Sequence, residues 1–365
     1  LDAARRIQAL PNVDTATHTT AHPFDWVKGD NYLTPDKKLA RQPPSIPGEI
    51  TAAVDFTNQL ITPREKPTRL LLWTGLCNPT PEAVALTDAL GIANMNGGNP
   101  IYDSNLPYIG GVYPVYSDVG EGRIQYHTAA AGDFYYTHSW TKNFDGMKEL
   151  VDYFQKTEKP YRLRPMNAYF HFYLAEKQPG LDGLKAAFDY VLKQDFAPIF
   201  AADYVPIVKD FITMRYGRAA DGSLVVHNQG PLRTIRLDGV KQAVDLNRSQ
   251  GVIGFVVEGN SLYVHLEEGS KHRIFLQDPA PSKTYLVKGS HYIDGWRLMD
   301  QGVTFRLQGT GPAFFTLANL APNTSYRVSV GGLGNQTVKT DAQGRLTWKG
   351  TLTAFRGTSP VEVSR

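Results

Sequence analysis

One cysteine, Cys77, is all that 365 residues contain. A lone thiol excludes an internal disulfide and any zinc site built on paired cysteines, and it leaves the compartment open, because exported proteins often lack disulfides too. Its setting, Gly75-Leu76-Cys77-Asn78-Pro79, reads as a strand-to-loop exit, where a buried structural thiol is expected rather than a nucleophile. No apolar run is long enough to cross a bilayer, and Leu1-Asp2-Ala3-Ala4-Arg5-Arg6 is not a signal peptide, so the chain is expected to begin mid-protein or after processing. Charge of one sign is scarce as well. The 38 Lys+Arg against 35 Asp+Glu leave a formal net charge of +3, which argues for neither a nucleic acid nor a membrane surface as partner. A glycine-rich nucleotide fingerprint, an internal repeat and low-complexity tracts are also missing.

What is present is the composition of a folded chain, 42% hydrophobic and 20% charged, and a length that suggests two or three domains. Residues 1–216 alternate strand and helix. A polar, proline-dense loop over 36–47 precedes a helix over 48–60, and strand 68–75 is followed by a helix that Pro81 opens. A short strand over 92–96 ends in the turn cluster Gly97-Gly98-Asn99-Pro100. About 25 weakly periodic residues after it carry Tyr102, Tyr108, Tyr113 and Tyr116, and a loop of that length in a compact domain is usually functional. Strand 122–129, helix 144–157, strand 162–173, helix 181–194, strand 197–200 and helix 204–216 continue the pattern of parallel βα units, which place chemistry in loops at the carboxyl ends of their strands. After Gly217 the texture becomes short alternating runs bounded by turns, a β-sandwich pattern. The last 50 or so residues have a fibronectin-like strand-and-turn pattern, read either as a separate module or as closing strands of the same sandwich.

Two features stand out chemically. His18 and His22, in Thr17-His18-Thr19-Thr20-Ala21-His22-Pro23, are four residues apart, so a helical winding would aim both rings at one divalent ion. The alternative is a capped helix start whose rings merely pack. His171, in Asn167-Ala168-Tyr169-Phe170-His171-Phe172-Tyr173, falls near the end of a predicted strand, where an imidazole could donate a proton to a leaving group or serve as a hydrogen-bonded core residue. Asp133, beside Tyr135, Tyr136, His138 and Trp140, is a candidate for orienting a catalytic group or contacting sugar hydroxyls, and otherwise a loop cap. Trp26, Trp73, Tyr135 and Trp140 are candidate sugar-stacking platforms and Asn96 a candidate cleft residue, with core packing and an ordinary turn as the competing readings.

His18-Thr19-Thr20-Ala21-His22 matches the His-Ser/Thr-x-x-His motif of NodB-type polysaccharide deacetylases, the family 4 carbohydrate esterases. With Leu72-Trp73-Thr74-Gly75-Leu76-Cys77-Asn78-Pro79, Asn94-Met95-Asn96-Gly97-Gly98-Asn99, the segment around His171 and a β-rich tail, the chain resembles the C-terminal portion of the deacetylases of the Pel biofilm polysaccharide. The resemblance implies the C-terminal part of a (β/α) barrel-like deacetylase domain over 1–216, followed by a β-sandwich region over 217–365. It implies a periplasmic enzyme that removes acetyl groups from an N-acetylgalactosamine-containing exopolysaccharide and works alongside exopolysaccharide export machinery. His18 and His22 would ligate a divalent metal, zinc or alternatively cobalt or nickel, and His171 would be the general acid. The family's first motif, which supplies an aspartate ligand and the catalytic base, has no counterpart before His18, where Asp14 lacks the paired form. The third ligand is therefore expected on a segment upstream of residue 1, and the chain by itself is expected to carry part of the site. A glycoside hydrolase with a β-sandwich accessory domain and a non-catalytic carbohydrate-binding or assembly module are the rival readings.

Overall fold

The computed structural model describes residues 1–28, 45–97, 115–127, 132–157, 161–278 and 281–365. Tyr102, Tyr108 and Tyr113, most of the proline-dense loop and Gly98-Asn99-Pro100 lie outside the described residues. The chain divides into two compact units, Leu1–Asp195 and Phe196–Arg365. Among the described residues no helix is long and apolar enough to cross a membrane.

The first unit is mixed α/β. Helix α1 (Asp2–Gln8) leads into β1 (Ala16–Thr17), then α2 (Ile46–Leu60), β2 (Leu70–Leu72), α3 (Pro81–Ala89) and β3 (Ala93–Met95). The strands pair in parallel in the order β1-β2-β3, Ala16 opposite Leu70 and Leu70 opposite Ala93. Parallel strands need crossovers, and α2 and α3 provide them. Both helices begin with a hydroxyl cap followed by proline: Ser45 accepts from Gly48 N–H, and Thr80 from Ala83 N–H. Ile50, Val54, Ala83 and Val84 turn inward to pack with Leu71, Trp73 and Trp26. A hairpin of β4 (Tyr116–Gly120) and β5 (Arg123–Tyr126) follows, then α4 (Asp133–Tyr136), a 3-10 turn Gly146–Glu149 running into α5 (Leu150–Lys156), a second 3-10 turn Phe172–Glu176, and α6 (Gln178–Leu192). No strand forms over 162–173 or 197–200; the first of these segments makes only an isolated parallel bridge, Tyr169 to Gly132. Three parallel strands do not close a barrel among the described residues.

The second unit opens with α7 (Ala201–Thr213), which the alternation of the sequence had grouped with the preceding βα units. Fourteen strands follow: β6 (Arg215–Arg218), β7 (Leu224–His227), β8 (Thr234–Asp238), β9 (Ala243–Val244), β10 (Val252–Glu258), β11 (Ser261–Leu266), β12 (Lys271–Ile274), β13 (Leu276–Gln277), β14 (Tyr285–Gly289), β15 (Tyr292–Met299), β16 (Gly302–Ala318), β17 (Ser325–Val330), β18 (Gly334–Lys339) and β19 (Leu346–Ser364). Nine of them join one sheet, ordered β18-β17-β19-β16-β14-β10-β11-β8 with β15 also on β16, so the final strands pair into the larger sheet. Strand β16 cannot be straight. Phe305 and Phe315 are ten residues apart, about 33 Å along an extended strand, yet their rings meet edge to face at 5.1 Å. The bend falls at the register break between Gly309 and Gly311, whose φ of 147° and 103° only glycine adopts readily. Folding the strand back lets both halves share one core with Trp348, Val328 and Val363.

His265 is buried in this sheet between Val287 O, which its Nε2–H reaches at 2.8 Å, and the Thr234 hydroxyl at 3.3 Å from Nδ1. Burial lowers its pKa to about 4, so the unfolded chain, titrating near 6.5, binds the extra proton first. Stability contributed by the neutral ring is complete above pH 6.5 and falls between pH 6.5 and 4, by up to about 3 kcal/mol. Denaturant unfolding of the His265→Gln variant should lack that segment of the acid-destabilisation curve; an unchanged curve would rule the ring out as its origin.

Candidate functional site

The carboxyl ends of β1, β2 and β3 carry three of the candidate residues, His18, Trp73 and Asn96. His18 follows Thr17 directly, but the stretch from His18 to His22 is not a helix. The N–H groups that would bond within a helix are taken elsewhere. Buried Glu49, in the first turn of α2, accepts from Thr20 N–H at 3.1 Å and Ala21 N–H at 2.8 Å through one carboxylate oxygen, and the Thr20 hydroxyl donates to Gly48 O at 2.8 Å. His22 N–H donates to Thr19 Oγ1 at 3.2 Å, and φ of 56° at His22 turns the chain back. The loop brings the rings together by a different route from the expected helix: their centroids lie 5.0 Å apart, edge to face.

His18 Nδ1 is 2.7 Å from the carbonyl oxygen of Leu72, the last residue of β2. A carbonyl only accepts, so Nδ1 carries the hydrogen and Nε2 of the neutral ring keeps its lone pair. This is the outer-shell arrangement that fixes a ligating imidazole. Burial is the main reason that its pKa falls to about 4, with repulsion from His22 and His171 adding to the shift. Burial likewise lowers the pKa of His22, and His171 contributes there too. The three imidazoles are thus within electrostatic reach of one another.

His171 lies in extended backbone just before a 3-10 turn rather than at the end of a strand. What holds it is Asp133, fully buried at the start of α4. The carboxylate accepts from His171 Nδ1–H at 2.9 Å through one oxygen and from His171 backbone N–H at 2.9 Å through the other, and also takes Phe134 N–H at 2.9 Å. Ring and backbone are therefore fixed together, with Nε2 directed away from the carboxylate. The imidazole stacks on Tyr173 at 4.9 Å and meets the edges of Trp140 at 5.5 Å and Tyr169 at 5.6 Å. Trp140 reaches it from a turn in which His138, Ser139 and Trp140 have φ of 48°, 60° and 56°. Left-handed backbone at a non-glycine residue costs about 1–2 kcal/mol each, so packing against His171 and Tyr173 is being held at a local cost.

Two expected sugar platforms are core residues instead. Trp73 is fully buried with its indole N–H on Asn94 Oδ1, and Trp26 is buried against it with its N–H on Thr74 Oγ1, so neither offers a ring face to a ligand. Asn96 caps β3 with φ of 106° and donates through Nδ2 to Trp73 O at 3.0 Å, which makes it a tie between strand ends. Tyr135 and its neighbour Phe134 are exposed, and Phe134 packs on Trp140 at 5.1 Å. Asp14 is on the far side of the sheet: it precedes β1, among Arg69 and Lys66 before β2, and its pKa is raised chiefly by burial. It is four positions from His18, about 13 Å along extended chain. Burial pushes the Cys77 thiol up to about 12, which makes it inert. Glu49, Tyr169 and Tyr173 shape the site without having been singled out by the sequence, since a glutamate in a first helical turn and tyrosines in an aromatic run are ordinary there.

Among the described residues no group of three or more His, Cys, Asp or Glu side chains is placed to hold a metal ion. The two N-terminal imidazoles fit the nitrogen part of a divalent-metal shell, since one is neutral, tautomer-fixed and paired with the other; a further ligand has to come from outside the described residues.

No family model matches this chain. No curated relative matches it either. Of the solved structures, an isomalto-dextranase of Arthrobacter globiformis T6 complexed with panose is 11% identical with a TM-score of 0.19, over 93% of this chain and 65% of that one. A rhamnosidase from Novosphingobium sp. PP1Y is 11% identical with a TM-score of 0.14, over 83% of this chain and 30% of that one. This chain thus spans less than two thirds of either, and likeness at that level carries no argument about fold or function.

Proposed function

We propose that the protein is a metal-dependent polysaccharide deacetylase that releases acetate from an N-acetylgalactosamine-containing exopolysaccharide of the Pel type. The observation that carries this reading is the convergence at one edge of a parallel sheet of a paired, neutral His18 and His22 with a His171 held by buried Asp133. In this reading the parallel strands belong to a barrel-like deacetylase domain, the strands after Gly217 are its β-sandwich companion, and the enzyme works in the periplasm beside the export machinery. The third metal ligand is an aspartate outside the described residues.

A divalent ion such as zinc, when bound, polarises the N-acetyl carbonyl and lowers the pKa of water. His18 and His22 are the two nitrogen donors, and Leu72 O and Glu49 keep them in place. His171 supplies the proton. With Nδ1–H committed to Asp133, its Nε2 is the atom that hands a proton to the departing amine, and Asp133 stabilises the imidazolium before transfer. Tyr173 and Trp140 restrict the ring, while exposed Tyr135 and Phe134 provide surface for neighbouring sugars.

The test is acetate release from a partly acetylated galactosamine polymer by the zinc-loaded protein. Acetate formation that stops on chelation and returns with metal is the expected result. New reducing ends that persist in chelator would mean glycosidic cleavage, and polymer binding with no acetate released would mean a binding module.

A further inference from the structure

The second unit carries a surface feature that the chemistry above does not use. Along β15, β16, β19 and β17 the side chains alternate: Ile293, Val303, Phe305, Val361, Val363, Val328 and Val330 enter the core. The outward positions fall into register. Arg297 is opposite Thr304, Thr304 opposite Glu362, and Glu362 opposite Ser329, so one polar row crosses four adjacent strands, about 14 Å. Arg306 is in the neighbouring row, opposite Pro360, and its guanidinium lies over Gly295, 3.4 Å from where a Cβ would stand. Gly295 has φ of 62° within the register break of β15, and the break plus the missing side chain lowers the floor there. The result is an open cleft of about 460 Å³ lined by these side chains, inside the rough 300–1,000 Å³ range of ligand sites.

Its chemistry is selective. Arg297 and Arg306, both exposed, form no ion pair among the described residues, and neither does Arg327, one row further along the face of β17 that carries Ser329. Two guanidinium groups thus line the cleft with the carboxylate of Glu362, while the Asp294 carboxylate, opposite Arg306, is buried and taken by Arg233 and Gln308. Guanidinium forks bind carboxylates through two parallel hydrogen bonds, while Thr304, Ser329 and Glu362 offer the mixed donors and acceptors that sugar hydroxyls need. Phe305, the one aromatic residue of the lining, is buried in the core beneath the floor and offers no ring face to a nucleobase, and a carboxylate in the middle of the row opposes a closely spaced run of phosphates.

We propose that this cleft binds an acidic polysaccharide, holding the carboxylates of uronate-type sugars on Arg297 and Arg306 and the intervening hydroxyls on Thr304, Ser329 and Glu362. The inference does not depend on the deacetylase reading. On the deacetylase reading the product is a cationic amino polymer, which these guanidinium groups would repel, and the ligand of the cleft would be a second polymer.

Calorimetric titration of the whole chain with oligogalacturonate, neutral dextran oligosaccharide and short single-stranded DNA, each at low salt, tests it. Oligogalacturonate should bind at least ten-fold more tightly than the other two, and added salt should weaken it. The Arg297→Glu/Arg306→Glu variant should lose ten-fold or more in affinity, and Glu362→Gln should gain, with unchanged melting temperatures because all three positions are exposed. No binding of oligogalacturonate, equal binding of the neutral oligosaccharide, tighter binding of DNA, or indifference to the arginine substitutions would each overturn the proposal.

Discussion

Replacing His171 with glutamine is expected to lower kcat for acetate release by about a hundred- to ten-thousand-fold, the usual contribution of a positioned general acid. KM for the polymer should change little, because the proton is delivered in the transition state rather than used to hold the sugar. Asp133→Asn should approach the same loss by another route. The carboxylate accepts from both the ring and the backbone N–H of His171, and an amide can present an N–H towards Nδ1, which would force the other tautomer and leave Nε2 protonated at the wrong stage. Both variants should still bind zinc, since neither side chain is among the proposed donors. A His171→Gln protein that releases acetate at the parental rate would remove His171 from the mechanism.

His18→Ala is expected to abolish measurable zinc binding, and with it acetate release. Two imidazoles are the minimum the described residues supply, so losing one leaves a single donor. Glu49 separates placement from ligation. Because one of its oxygens takes both Thr20 and Ala21 N–H, Glu49→Gln can preserve the loop through its amide oxygen, whereas Glu49→Ala should weaken zinc binding about ten-fold, within the range for outer-shell partners. The pH dependence has a definite sign. Protons compete with metal only below a ligand's pKa, and since the His18 pKa is lowered from 6.5 to about 4, His18 should remain a competent ligand below pH 6.5 and lose the ion only as pH approaches 4. Zinc retention followed by equilibrium dialysis checks both statements; undiminished retention in His18→Ala would locate the metal elsewhere.

The helical and extended periodicities of the sequence were a good guide where local signals dominate. The helix expected over 48–60 forms over 46–60, the one that Pro81 opens runs over 81–89, and the short alternating runs after Gly217 include the strands at 224–227 and 261–266. They misled at 162–173, where a β-like run of aromatics has almost no strand partner and is shaped instead by the hydrogen bonds of Asp133. They misled also at Trp73, where an indole in a strand exit looks the same in sequence whether it faces a cleft or the core.

The histidine pair shows the division most clearly. The residue types and their four-residue spacing alone determined that two potential ligands share one short segment, but not that their rings meet, since four positions span about 13 Å when extended. The backbone that accomplishes it was decided elsewhere, by a glutamate 27 to 31 residues away whose carboxylate outcompetes helical carbonyls for two N–H groups. Asp133 and His171, 38 residues apart, became a pair in the same way. The row of Arg297, Thr304, Glu362 and Ser329 exists only through strand register. Short-range order follows from side-chain chemistry along the chain. Which distant groups meet depends on burial and pairing of the whole unit, since a buried carboxylate is stable only where the fold brings donors to it.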